Sequence, residues 1–126
     1  MAEKKFTKEH EWIEKSDQII IVGITEFAQD QLGDIVSIEL PQVSSSFKQN
    51  DVMAIIDSVK ASSDLYCPVD GEIIEVNEKL LERPELINQS PFEEGWVVKI
   101  KPNNPEQIDS LLSKEQYDKL VGQNKE

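Results

Sequence analysis

The chain has 126 residues and a formal net charge of −12, with 25 acidic against 13 basic side chains. Its length predicts a single domain over residues 1–126, with a core from about residue 6 to 117 and a frayed tail at 122–126. The charge repels phosphate backbones and anionic membranes, which argues against nucleic-acid or membrane binding and favours partners with basic docking faces. Because Cys67 is the only cysteine, an internal disulfide and a cysteine zinc cluster are both excluded.

The first residues carry no targeting pattern. Residues 1–5 lack the apolar core of a signal peptide and the arginine-rich amphipathic pattern of a transit peptide. We therefore expect the cytoplasm of a bacterium or archaeon, a reducing compartment that suits an unpaired cysteine. A mitochondrial form trimmed of its leader and carrying an added Met1 has the same kind of start, so that alternative stays open.

The first third of the chain alternates short apolar runs with turn signals, as β-rich domains do. Apolar runs predict strands at residues 6–13, 18–23 and 34–40, and the polar residues 14–17 predict a turn between the first two. Between the second and third strands the spacing of apolar residues changes from that of a strand to that of a helix. Thr25 can cap a helix over residues 26–32, and Gly33 can stop it.

The rest of the chain follows the same alternation until its last quarter. The pattern predicts a polar loop at residues 42–50 and four strands at residues 51–59, 63–67, 72–77 and 95–101. It also predicts a turn at residues 68–71, with a positive φ at Gly71, and one helical turn at residues 78–81. Two helices should follow, one capped by Asn104 with Pro105 in its first turn, and one opened by a capping box from Ser113 to Gln116. The sequence thus predicts a mainly β domain with a short helix in its N-terminal half and helices at the C-terminus.

One lysine has an unusual predicted position. Two strand-like segments flank Lys60 and Ala61, so a tight turn would hold the Lys60 amine at the tip of a rigid hairpin. An exposed amine on a rigid base suits covalent attachment of a mobile group, and acylation would make it a neutral amide. A plain surface lysine at a turn fits the spacing equally well, and lysines are mostly exposed.

The residues around Lys60 resemble a known modification site. Residues 57–61, Asp-Ser-Val-Lys-Ala, and the stretch 64–77 after them are similar to the lipoylation site of the glycine cleavage system H protein family. Further matches occur in order and spacing at His10-Glu11-Trp12, Gly23-Ile24-Thr25, Ala28-Gln29, residues 32–36, Leu40-Pro41, residues 84–88, Ser90-Pro91 and Gly95-Trp96. The resemblance covers nearly the whole chain, from about Phe6 to Tyr117.

This resemblance implies a fold and a role. The fold would be a flattened β-barrel or sandwich of the lipoyl-domain type, a barrel-sandwich hybrid. Lys60 would carry lipoic acid in amide linkage, accept an aminomethyl group from a pyridoxal-phosphate glycine decarboxylase, and present it to a tetrahydrofolate-dependent aminomethyltransferase. Dihydrolipoyl dehydrogenase would then reoxidise the arm. The chain would be a non-catalytic carrier, expected to be monomeric, and a lipoylating enzyme would be a further partner.

The resemblance also assigns roles to neighbouring residues. Glu11 and Asp64 would line a cleft where carboxylates hold the cationic, loaded arm away from water. The residues around the lysine are candidates for recognition by the lipoylating enzyme: Asp57, Ser58, Val59 and Ala61. Gly71 would serve the frame of the hairpin. Two departures from the family pattern stand out, because Ser44 occupies a position where glycine is expected and Asp57 one where glutamate is usual.

Other reactive residue types have ordinary interpretations. His10 is the only histidine and has no matching nucleophile, so we expect a structural or surface role and no catalytic residue. Cys67, before Pro68, is expected to be a buried hydrophobe, and Trp12 and Trp96 are expected to pack in the core. We find no phosphate-binding loop and no metal motif.

Two other readings stay open at the level of sequence. The chain could be a carrier in a related role, such as a biotinyl or lipoyl domain of another complex, or an H-like relay for lipoyl groups. Biotinyl domains usually have methionine on both sides of the lysine, whereas Val59 and Ala61 stand here. The chain could also be an acidic binding module without a covalent group.

Overall fold

Residues 4–124 of the computed structural model are described, and they form nine strands and five helices. The strands are β1 (Lys4–Phe6), β2 (Glu11–Ser16), β3 (Ile19–Ile24), β4 (Ile35–Glu39), β5 (Ser46–Phe47), β6 (Val52–Ser58), β7 (Ser62–Tyr66), β8 (Gly71–Val76) and β9 (Val98–Pro102). The helices are α1 (Glu26–Leu32), α2 (Lys79–Glu82), α3 (Leu86–Gln89), α4 (Glu106–Asp109) and α5 (Lys114–Asn124). Over this range, no helix is both long and apolar enough to span a bilayer.

The strands form two antiparallel sheets. One has the order β1-β2-β3-β9-β8-β5 and the other the order β4-β6-β7. Branched aliphatic side chains from both sheets form one buried cluster, which includes Ile13, Ile20, Val22, Ile56, Leu65, Ile73, Val98 and Ile100. The β-branched runs that marked these strands in the sequence thus supply the core. The predicted mainly β fold is confirmed as a flattened sandwich with short helices.

The helix caps predicted at Thr25 and Ser113 are present, whereas the one predicted at Asn104 is wrong: α4 has Pro105 at its N-cap, and no side chain caps it. The Thr25 side chain accepts a hydrogen bond from the backbone N–H of Ala28, and α1 ends at Gly33, whose φ is +79°. At the start of α5 the capping box is reciprocal. Ser113 Oγ accepts from the N–H of Gln116 at 3.2 Å, and Gln116 Oε1 accepts from the N–H of Ser113 at 2.9 Å.

Two predictions near the N-terminus are wrong. Residues 6–13 do not form one strand, because the chain reverses before His10, which has a φ of +71°, and pairs Phe6 with Trp12. Residues 14–16 of the predicted turn 14–17 belong to β2, and the chain reverses at Asp17, which has a φ of +56°. Polar side chains on the solvent face of a strand look like a turn in sequence, and pairing alone separates the two cases.

Several element boundaries also differ from the predictions. The loop 42–50 contains β5, the helix α3 was not predicted, and β9 starts three residues later than expected. These elements are two to five residues long, too short for a periodic pattern to show. Helix α5 continues through Gly122 to Asn124, and the rest of the predicted frayed tail lies outside the described residues.

The positive φ predicted at Gly71 is wrong. Its φ is not positive, so the turn does not depend on left-handed backbone there. A Cβ atom at this position would lie 2.6 Å from Ile100 Cγ2 and 2.7 Å from the carbonyl oxygen of Lys101. Only glycine leaves room for this close approach of β8 and β9.

Ser44, one of the two departures from the family pattern, occupies a strained position. Its φ is +78°, in the region that glycine adopts without steric cost. We expect Ser44→Gly to raise the free energy of unfolding by about 0.5–1 kcal/mol, because the Cβ clash is relieved. Urea unfolding of the variant and the parent measures the change.

The matched control is Ser16→Gly, since Ser16 lies in β2 with ordinary extended backbone. Glycine there should lower the unfolding free energy by about 0.5–1 kcal/mol, because the unfolded chain gains freedom. Equal changes in both variants would contradict the assignment of strain to Ser44.

Candidate functional site

Lys60 lies at the tip of the β6–β7 hairpin. Asp57 pairs with Ser62, and the N–H of Ser58 donates to the carbonyl of Ala61 at 2.8 Å. The two residues between them are therefore Val59 and Lys60, one position earlier in the chain than the predicted Lys60–Ala61 turn. Both have negative φ, so this two-residue connection forms without a left-handed residue.

The Ser58 hydroxyl braces the turn from inside. Its Oγ accepts from the N–H groups of Lys60 at 3.2 Å and Ala61 at 3.1 Å, and donates to the Ala61 carbonyl at 3.0 Å. Serine and threonine are favoured in turns because their hydroxyls bond nearby backbone in this way. Ser58 thus stabilises the turn at Val59 and Lys60 through its hydroxyl group.

A second set of contacts holds the tip from outside. The N–H of Val59 donates to the carbonyl of Asp34 at 3.0 Å, and Ser58 pairs with Ile35 at the start of β4. The aliphatic part of Lys60 runs over Gly33, where a Cβ atom would be 3.3 Å from Lys60 Cε. Lys60 is nonetheless exposed.

The remaining recognition candidates surround this tip. Asp57 accepts hydrogen bonds from Ser37 Oγ at 3.1 Å and from Ser62 Oγ, so its carboxylate ties β6 to both neighbouring strands. The Val59 side chain is 65% exposed and Ala61 is also exposed. Both chain neighbours of Lys60 are therefore accessible from solvent.

Glu11 is buried, although it was predicted to line a cleft for the arm. Its side chain is 1% exposed, and its two carboxylate oxygens accept from the Thr7 hydroxyl at 2.9 Å and the N–H of Tyr66 at 2.8 Å. Burial raises the pKa of Glu11 to about 7, and these two hydrogen bonds act in the opposite direction. The side chain also lines a cavity of about 250 Å³.

Asp64 is the second residue predicted to line the cleft. It is exposed on β7, two residues before Tyr66 and three after Ala61, or about 10 Å along the strand from the tip. The cavity that Glu11 lines is not lined by Asp64 or Lys60. Glu11 lies on β2 and bonds the backbone of β7 at Tyr66, whereas Asp64 lies on β7 itself, and the cleft between them stays a prediction.

Sequence reasoning missed the residues that support the tip. Gly33 is predicted as a helix stop and as part of a family match, yet it also makes room for the Lys60 side chain. Asn88 was noted only as part of a family match, yet its amide bonds to Gly33 and Ile35 beside the tip. No local pattern marks a contact between residues 53 positions apart.

His10 and Cys67 have the ordinary roles expected of them. His10 Nδ1 lies 2.8 Å from the Tyr117 hydroxyl, and burial lowers the His10 pKa. Cys67 is fully buried, its thiol donates to the Val69 carbonyl, and burial raises its pKa to about 12. Within residues 4–124, no group of three or more potential metal ligands is present.

Comparisons with known proteins agree on one family. The family model described as glycine cleavage H-protein matches residues 4–124. A glycine cleavage system H protein of Symbiobacterium thermophilum is 54% identical over 117 residues, which are 93% of this chain and 91% of the relative. One from Carboxydothermus hydrogenoformans is 49% identical over 117 residues, 93% of this chain and 90% of that relative.

A solved structure agrees with the sequence comparisons. The crystal structure of a glycine cleavage system H protein from Mycobacterium marinum superposes with a TM-score of 0.88 at 31% identity, covering 95% of this chain and 97% of that one. The two-sheet sandwich with a lysine-tipped hairpin is therefore that of a small carrier-type domain. The chain belongs to the glycine cleavage H-protein family.

The raised pKa of Glu11 predicts a pH-dependent stability. Because the folded pKa of about 7 lies above the ordinary value of 4.5, the stabilisation is complete below pH 4.5 and is lost as the pH rises through 7. Glu11→Gln cannot ionise, and its amide oxygen can still accept from the N–H of Tyr66, although its amide nitrogen cannot accept from the Thr7 hydroxyl. We expect its unfolding free energy to fall less than the parent's between pH 5 and pH 8, by up to ~3 kcal/mol.

Urea unfolding at the two pH values measures this difference. Glu39→Gln is the control, because Glu39 is exposed on β4. A pH dependence that is the same in Glu11→Gln as in the parent would contradict the raised pKa.

Proposed function

We propose that the protein is the lipoyl carrier of a glycine cleavage system, with lipoic acid attached in amide linkage to Lys60. The exposed amine on a braced hairpin tip is the observation that carries this proposal. Family membership supports it, because the matched relatives are glycine cleavage system H proteins. The partners would be glycine decarboxylase, aminomethyltransferase, dihydrolipoyl dehydrogenase and a lipoylating enzyme.

The residues of the tip fit an attached acyl group. Within residues 4–124, no carboxylate lies within ion-pair distance of the Lys60 amine, so acylation breaks no salt bridge. When bound, the lipoyl group supplies the disulfide chemistry that takes up and releases the one-carbon unit. The chain itself provides a rigid base, from which the arm can swing between partner sites.

The carboxylates on and beside β7 would have a holding role. Tyr66, whose N–H bonds Glu11, lies about 17 Å along the strand from Ala61. A bare lysine side chain does not cover that distance, so Glu11 can meet only a lengthened arm, whereas Asp64 is nearer. We propose that these two acidic groups attract the cationic amine of the loaded arm.

The remaining parts of the proposal concern the setting. The chain would act without catalysis of its own, since the partner enzymes and their cofactors supply the chemistry. A net charge of −12 suits docking on basic faces of several enzymes in turn. We place the protein in the bacterial cytoplasm as a monomer, in keeping with the bacterial sources of the matched relatives.

Replacement of the attachment residue tests the proposal. In Lys60→Arg the charge is kept, but the guanidinium is always protonated and cannot be acylated. We expect the variant to fold, to gain no lipoyl mass, and to give no glycine-dependent carbon dioxide release in a reconstituted system. Intact-mass spectrometry and the release assay measure these two outcomes.

Lys48→Arg is the control, because Lys48 is exposed on the loop before β6. It should be lipoylated and active like the parent. An unmodified Lys60 in the parent from lipoate-replete cells, or full activity of Lys60→Arg, would refute the assignment.

The holding role of Asp64 has its own test. In Asp64→Asn the side chain keeps its size but loses its charge, so the loaded amine is attracted less strongly. We expect the loaded protein to lose its one-carbon unit to water about two to five times faster than the parent, the range of an exposed ion pair. Asp109→Asn on α4 is the control, and equal rates in all three proteins would count against the role.

A further inference from the structure

The side-chain amide of Asn88 on α3 makes three hydrogen bonds. Its Nδ2 donates to Gln29 Oε1 at 2.7 Å and to the carbonyl of Gly33 at 2.9 Å, and its Oδ1 accepts from the N–H of Ile35 at 2.9 Å. The backbone N–H of Ile35 can only donate and the Gly33 carbonyl can only accept. The orientation of the amide is therefore fixed by its partners.

These bonds fix the segment where α1 ends and β4 begins. Asn88 bonds the residue before Asp34 and the residue after it, so the Asp34 peptide is clamped on both sides. The segment is also held by the N–H of Gly33, which donates to the carbonyl of Gln29 at 2.9 Å, and by the buried side chain of Ile35. Gly33 has a left-handed φ and ends the helix, and Asp34 itself is exposed.

The same segment supports the hairpin tip. The Asp34 carbonyl accepts the N–H of Val59 at 3.0 Å, Ile35 pairs with Ser58, and the Lys60 side chain lies over Gly33. These three contacts of the tip thus involve three consecutive residues, Gly33, Asp34 and Ile35. Two of the three are hydrogen-bonded to Asn88.

We propose that Asn88 is a positioning residue for Lys60: its amide fixes residues 33–35 in the arrangement that holds the hairpin tip and directs the lysine side chain. This proposal rests on the proposed role of Lys60 as the lipoyl attachment site. It adds a residue on a separate helix, 28 positions further along the chain, that determines how the amine is presented to the lipoylating enzyme. Enzymes depend strongly on such presentation, because small displacements of a reacting group slow the reaction.

A change of Asn88 to Asp removes both donated hydrogen bonds at constant size. The new carboxylate would face the Gly33 carbonyl and Gln29 Oε1, both acceptors, and would repel them. Only the bond from the N–H of Ile35 can persist. We expect the segment to shift and the Val59 N–H to lose its partner for part of the time.

The chain offers a matched control at Asn77. Its Nδ2 donates to the carbonyls of Glu94 and Trp96, both at 2.8 Å, and its side chain is 4% exposed. Asn77→Asp therefore loses two donated hydrogen bonds of the same kind, at a site at least as buried, and neither partner belongs to the hairpin or to residues 33–35. A comparison of the two variants therefore distinguishes a general loss of stability from a specific loss of Lys60 positioning.

Two measurements on the full chain test the proposal. Amide hydrogen exchange of Val59 reports the tip directly and needs no partner enzyme. The kcat/KM for lipoylation of the unmodified protein by its lipoylating enzyme reports presentation of Lys60. In Asn88→Asp we expect Val59 to exchange at least about tenfold faster and kcat/KM to fall about tenfold, chiefly through kcat.

Asn77→Asp should match the parent in both measurements, even if it unfolds at lower urea concentration. Gln29→Ala is a second variant in case Asn88→Asp does not fold. It removes the acceptor of one Asn88 bond, together with the exposed hydrogen bond from Gln29 Nε2 to Asp30, and it should change both quantities in the same direction by a smaller factor.

Three outcomes would overturn the proposal. One is that Asn88→Asp and Asn77→Asp behave alike, which would show a purely general effect. Another is faster exchange at Val59 with unchanged lipoylation, because a loosened tip would then have no consequence for Lys60. The third is an unchanged Val59 exchange rate in both Asn88→Asp and Gln29→Ala. Absence of lipoylation in the parent would instead refute the proposed function, and the exchange data would still test the clamp.

Discussion

The hydrogen bond from the N–H of Val59 to the carbonyl of Asp34 joins the hairpin tip to the rest of the molecule. A two-stranded hairpin that projects alone is only marginally ordered in water. Here β4 pairs with β6 up to Ser58, and the bond at Val59 extends that support into the turn. The mobility that a carrier needs can then come from the Lys60 side chain, because the backbone of the turn is fixed by these hydrogen bonds.

Gly33 couples the end of α1 to the presentation of Lys60. Its left-handed φ terminates the helix, and its missing side chain leaves the space that the lysine methylenes occupy. A single residue type thus meets a backbone requirement and a packing requirement together. The clamp by Asn88 extends this arrangement to α3, so three elements that are distant in sequence define one short surface.

Much of the fold was predictable because local chemistry determines it. Thr25, Gly33 and the Ser113–Gln116 box gave the bounds of helices, since capping depends on residues within one turn. The β-branched runs indicated most strands. The pairing of Phe6 with Trp12 was not predictable, because strand register depends on partners and not on the residues of one strand.

The sequence by itself determined that Lys60 stands in a turn between two strands, with Ser58 close enough to brace it, because these relations lie within a few residues. Only the tertiary structure decided what surrounds that turn. It buried Glu11 among β-strands and raised its pKa, and it brought Asn88 and Gly33 to the hairpin tip. Burial and long-range contact depend on how the sheets and helices pack, and that packing is a property of the whole chain.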